Sequence, residues 1–206
     1  MGNPGHIGRT RRTLAYVAPF VLYLLLTSLA ARFDRAYPAA YTAAVAVIGI
    51  ATVFLLRGQR ILKPHRRIFV PVLVGLVGFV LWVALSTPRF EETLTSGFPD
   101  WLRPSPRAGY DPFFELTPQS LAIAFVAIRL IGLVILTPIA EELFWRVFLL
   151  RWVDSPDWED VPLGTFRVRS FIVVTVFFVA AHPEWLAAAA YCMLLNGLMY
   201  WKKVLW

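Results

Sequence analysis

The sequence has a single cysteine, three histidines and few charges in 206 residues. Cys192 alone cannot close an intrachain disulfide or build a multi-cysteine metal site. His6, His65 and His182 are too scattered to read as a zinc cluster by spacing. Charged residues make up only 16%, against 58% hydrophobic, with a mean hydropathy of +0.63. Such values exclude disorder and argue against an ordinary soluble domain. What remains is an all-α, polytopic transmembrane helical bundle of about six helices. The net charge of +7 would point to nucleic acid in a soluble protein. Here the basic residues gather in short segments between apolar runs, as orientation signals do, so no nucleic acid partner is expected and membrane lipids are.

The chain divides by composition. Residues 1–13 form a basic tail with Arg9, Arg11 and Arg12, which puts the N-terminus on the cytoplasmic side. Residues 14–87 hold N-terminal transmembrane helices: spans from Leu14 to Ala30, Ala39 to Leu56 and Ile68 to Ser86, each about the length that crosses a bilayer. No small-residue cleavage site follows the first run, so it reads as a retained span. Arg57, Arg60, Lys63, Arg66 and Arg67 give the strongest positive-inside signal, with docking of anionic lipid heads as a secondary role. Residues 88–118 are a proline-rich outer loop whose aromatics either lie at the membrane interface or form a lid. Residues 119–206 form the core. Within it the apolar run from Ser120 to Trp152 is too long for one untilted crossing, and Pro138 is the expected kink. A polar turn over 153–166 follows. The next apolar run ends at His182, because the prolyl bond to Pro183 disfavours helix there. The last span runs from Trp185 to Trp201. The charge rule then gives six crossings with both ends and the 153–166 turn inside.

Function concentrates in Pro138-Ile139-Ala140-Glu141-Glu142-Leu143-Phe144-Trp145-Arg146, where two carboxylates and an arginine sit in some of the most apolar sequence of the chain. A charge in hydrocarbon costs several kcal/mol, so such residues mark function by default. Glu142 and Arg146 are four apart and face the same way on a helix, so they pair. Glu141 points about 100° away and is left for proton chemistry. Arg129 either binds a carboxylate or snorkels to the outer leaflet. Counted back and forward from the 153–166 turn, Glu141 and His182 reach similar depths, roughly 17 and 22 Å at the helical rise. A Glu–His pair in an apolar pocket suits water activation, the base taking a proton as water attacks a carbonyl carbon. What such a pair lacks is a donor set for the oxyanion. A proton-relay transporter would show an inverted repeat of broken helices, and the sequence has none.

Glu141-Glu142-Leu143-Phe144-Trp145-Arg146 fits the pattern EExxxR, and Phe178 with His182 fits FxxxH. Together they resemble the CPBP family of CAAX-protease and bacteriocin-processing, Abi-like membrane proteins. Gly109-Tyr110-Asp111-Pro112, Val161-Pro162-Leu163-Gly164-Thr165-Phe166 and His182-Pro183-Glu184-Trp185-Leu186 are similar to the narrower CAAX prenyl protease-related branch found beside bacterial exosortase (PEP-CTERM) systems. The resemblance covers roughly residue 108 to the end. It implies an intramembrane endopeptidase of the bacterial cytoplasmic membrane, acting on a membrane-associated protein or peptide, with exosortase-system proteins as partners. The family name does not carry over as a substrate. By the same resemblance Glu141 is the general base and His182 orients the water, while Glu142 and Arg146 are supporting. The family is described both as metalloproteases and as glutamate-type proteases. No cofactor is expected, because a metal site needs more ligands than the sequence shows, although a divalent metal is not excluded. The alternative is a non-catalytic scaffold or immunity-type protein that keeps the fold.

The family also carries a helix with an HxxxN or HxxxD motif that supports the oxyanion. The sequence reaches Trp206 without it, so the expected core is C-terminally incomplete or degenerate. Cys192 and Asn196 have the spacing, but Asn196 lies roughly 18 Å along the helix from Glu184. It reads instead as an interhelical hydrogen bonder.

Overall fold

A chain that leaves water must satisfy its backbone groups internally, and an apolar run does this as a helix. The computed structural model describes residues 4–57, 69–87, 92–93, 95–99, 103 and 109–203, and it is helical at each run where a span is expected. Helix α1 is Pro4–Ala30, α2 is Tyr37–Leu56, α3 is Phe69–Leu85 and α4 is the short Pro112–Glu115. The long α5 runs over Gln119–Asp154, followed by a 3₁₀ turn at Trp158–Asp160, α6 at Val168–Ala180 and α7 at Trp185–Lys202. Among the described residues there is no strand. Arg60, Lys63, Arg66, Arg67, Phe90, Trp101 and Trp206 lie outside the described residues.

Among the described residues three helices, α1 from Arg9, α2 and α5, are long and apolar enough to cross a membrane, while α3 and α6 are apolar but shorter. Large apolar side chains cover the outside. Phe69, Leu76, Phe79 and Val80 of α3 are all more than half exposed. An outer surface this apolar needs an apolar surrounding. The protein is an integral membrane protein of all-α architecture.

The chain folds as two compact units. The first comprises Met1–Gln59 with Gly109–Phe148. Its centre is an aromatic cluster. Tyr37 meets Tyr110 edge-on at 4.9 Å, and Phe125 lies 5.8 Å from Tyr41 and 5.7 Å from Tyr110. Tyr110 of the proline-rich connection is therefore packed on α2 and α5, while Phe113 and Phe114 beside it are exposed. Asp111 caps α4, its carboxylate accepting from the Phe113 amide at 2.9 Å. Arg129 is half-buried near this cluster, where its charge acts on Tyr41 and Tyr110. Among the described residues it pairs with no carboxylate.

The second unit comprises Arg60–Ala108 with Leu149–Trp206. The polar turn after α5 is tightly held. Arg151 donates to the Val161 carbonyl at 2.7 Å and to the Glu159 carbonyl at 3.1 Å, with its guanidinium 4.9 Å from the buried Trp158 ring. Arg167 pairs with the buried Asp154 carboxylate at 3.7 Å. Gly164 takes a φ of 75°, and a β-carbon there would stand 2.8 Å from the Met199 carbonyl oxygen and 2.9 Å from the Lys203 α-carbon. That close backbone approach accounts for glycine in Val161-Pro162-Leu163-Gly164-Thr165-Phe166. Asn196 is buried, but its amide bonds the Cys192 sulfur at 3.5 Å within α7. The contact between helices is made by Cys192, which reaches the Thr175 hydroxyl of α6 at 3.9 Å. The interhelical bond expected of Asn196 is thus carried by its neighbour one turn earlier.

Candidate active site

Pro138 has no amide hydrogen, and its ring crowds the carbonyl one turn before it, so regular α-helix cannot pass through unchanged. In α5 the adjustment takes the form of widened π turns on both sides of the proline, at Gly132–Leu136 and Glu142–Leu149, with the regular Thr137–Glu141 between. Such turns concentrate at functional sites. The Thr137 hydroxyl donates to the Gly132 carbonyl at 2.9 Å, closing one of the openings. Pro138 thus sits between two re-spaced segments of one continuous helix.

Across the second π segment, Ala140, Leu143 and Val147 form a fully buried face. Arg146 joins it at 1% exposure, and its guanidinium stands 3.2 Å from the Glu142 carboxylate, which keeps 18% of its surface. The pairing expected from the four-residue spacing is present. Glu141, the residue before Glu142, is half-buried. The motif is fixed from α1. Phe20, next to the helix-interior Pro19, stacks on Phe144 at 4.5 Å and meets Trp145 edge-on at 5.3 Å. Phe20 reads in the sequence only as a phenylalanine in an apolar run.

In the second unit the Phe178–His182 pair follows from how α6 ends. Pro183 stops the helix, and the last turn tightens so that the His182 amide bonds the Val179 carbonyl at 3.0 Å. Phe178 thereby loses its usual i+4 amide donor. Its carbonyl accepts from His182 Nδ1 at 2.7 Å, while its fully buried ring stacks on the imidazole at 4.4 Å. A carbonyl only accepts, so Nδ1 carries the hydrogen and Nε2 of the neutral ring is the acceptor. This is a physical account of FxxxH: one residue supplies both the platform and the acceptor that set the tautomer. Trp82 of α3 meets the same imidazole at 5.4 Å.

Residues 122–206, about two-fifths of the chain, match a family model described as Type II CAAX prenyl endopeptidase Rce1-like. This part of the chain is similar to the CAAX-protease family. Both EExxxR and FxxxH fall inside the matched stretch, whereas Phe20 and Trp82, which pack on them, fall outside it. No curated protein and no solved structure matched the chain. The relationship supports a membrane-embedded endopeptidase in general terms.

Proposed function

We propose that the protein is an intramembrane endopeptidase that hydrolyses a peptide bond of a membrane-associated protein or peptide with an activated water. Glu141 is the general base and His182 orients the water, as the family resemblance implies. The observation that supports this assignment is the buried Glu142–Arg146 pair at 3.2 Å, which holds the EExxxR turn of α5 in place with Glu141 directly before Glu142. The fixed Nδ1–H of His182 adds an Nε2 lone pair able to accept a hydrogen bond from water. Glu141 takes a proton as the water oxygen attacks the carbonyl carbon, and returns it to the amine as the peptide bond breaks. Glu142 and Arg146 hold the helix face.

No metal is assigned to the step. A catalytic zinc is held by three protein ligands, whereas this reading uses Glu141, His182 and water alone. Arg146 already answers the Glu142 charge. The basic tail at Arg9, Arg11 and Arg12 supports a cytoplasmic N-terminus in a bacterial cytoplasmic membrane. The narrower motifs suggest exosortase-system proteins as partners.

The test compares membranes from cells expressing the native chain, Glu141→Gln or His182→Gln by mass spectrometry of protein termini. New termini confined to the native chain are the expected result. Identical termini in all three overturn the proposal and favour a non-catalytic scaffold or immunity-type protein.

A further inference from the structure

Helix α3 is almost wholly turned outward, yet one stripe of it is not. Pro71, Val74, Gly75, Gly78, Trp82 and Leu85 recur at helical spacing as the residues withdrawn from the surface. Gly78 is the buried centre of this stripe. A β-carbon there would lie 2.6 and 2.8 Å from ring atoms of Tyr191 on α7. The missing side chain therefore lets the Tyr191 ring lie directly on α3. One turn later Trp82 meets Tyr191 edge-on at 5.6 Å and His182 at 5.4 Å. The imidazole is thus contacted by two aromatic rings, Phe178 from its own helix and Trp82 from α3. Either ring alone leaves the imidazole a rotation about its χ angles; contacts from two elements restrict it. Trp82 lies outside the residues that the family relationship covers.

We propose that Trp82 is a positioning residue for His182, held at its height by the Gly78–Tyr191 contact, and that it keeps the imidazole in the orientation that bonds Nδ1 to the Phe178 carbonyl. The N-terminal half of the chain thereby completes a histidine seat whose other parts are C-terminal. The catalytic consequence rests on the endopeptidase reading; the tautomer consequence does not.

The experiment uses the full chain in lipid nanodiscs with ¹⁵N-labelled histidine, His182→Gln assigning the His182 signals among the three histidines. In the native protein the neutral His182 ring is expected as the Nδ1–H tautomer. Trp82→Ala should turn this into a mixture of tautomers, and Trp82→Phe should restore it. Gly78→Ala, which breaks the close Gly78–Tyr191 contact without altering the indole, should give the same mixture and serves if Trp82→Ala does not fold. An unchanged tautomer in Trp82→Ala, or in Gly78→Ala if that alone folds, overturns the proposal. With a peptide cleaved by the native chain, Trp82→Ala should lower kcat roughly ten- to hundredfold with KM held, as misplacement of a reacting group does, and Trp82→Phe should recover most of it. Unchanged cleavage in His182→Gln would sink the catalytic role given to His182, while the tautomer measurement would still decide the role of Trp82.

Discussion

Arg146→Met removes one partner of the buried pair on α5 while keeping most of the apolar stem that fills the same space. Opposite charges 3.2 Å apart attract by about 5 kcal/mol at an effective dielectric of about 20. Glu142 keeps 18% of its surface, which screens part of that attraction, but Arg146 keeps only 1%. Losing the cation leaves a largely buried carboxylate unanswered, and breaking such a pair costs about 3–5 kcal/mol. For a chain of this size the apparent Tm in detergent should fall by roughly 6–20 °C, at about 2–4 °C per kcal/mol. Glu142→Gln alone should be costly for the mirrored reason, a buried guanidinium without its carboxylate. The double variant removes both charges and should be less damaged than the sum of the singles by at least about 1.5 kcal/mol, because contacting charged partners couple. Thermal unfolding of all four proteins in one detergent measures this. Additivity within about 0.5 kcal/mol would mean that the contact contributes nothing as a pair, and the supporting role given to Glu142 and Arg146 would fall with it.

Gly164→Ala should be destabilised by about 2–5 kcal/mol, combining left-handed backbone strain with overpacking against the Met199 carbonyl and Lys203, neither of which can swing aside. A loss below about 1 kcal/mol in the same unfolding assay would show that the turn re-forms at no cost. Gly75→Ala is the control, since a β-carbon there meets nothing within 4 Å; it should be neutral or stabilise α3 by up to about 1 kcal/mol. Tyr41→Phe removes a buried hydroxyl that has no hydrogen-bond partner among the described residues, so stability should hold or rise by about 1 kcal/mol, and a clear loss would reveal a partner for it. Phe178→Leu keeps the carbonyl that receives Nδ1 but removes the stacked ring, and should weaken the His182 tautomer preference in the histidine spectrum without abolishing it.

The helices were legible because their boundaries are set by local chemistry. Apolar runs had to fold as helix, Pro183 had to end α6, and the observed ends differ from the expected ones by a few residues at most except at the start of α1. The Glu142–Arg146 pair was legible for the same reason, since a four-residue spacing faces one way whatever else the chain does. What escaped the sequence depends on contacts between distant segments. Nothing about Phe20 or Trp82 distinguishes them from the other aromatics in apolar runs until α1 is laid on α5 and α3 on α7. The glycines show the boundary between the two kinds of information most clearly. Gly75 and Gly78 are three residues apart on one helix and read identically, yet one opens onto nothing and the other lies under a tyrosine ring. Arg129 and Asn196 mark the same limit from the polar side. A polar residue in an apolar run announces that it needs an answer, but not whether the answer is a carboxylate, the membrane surface or a sulfur one turn away. The motif residues therefore came from the sequence, and the residues that hold the motif in place came from the fold.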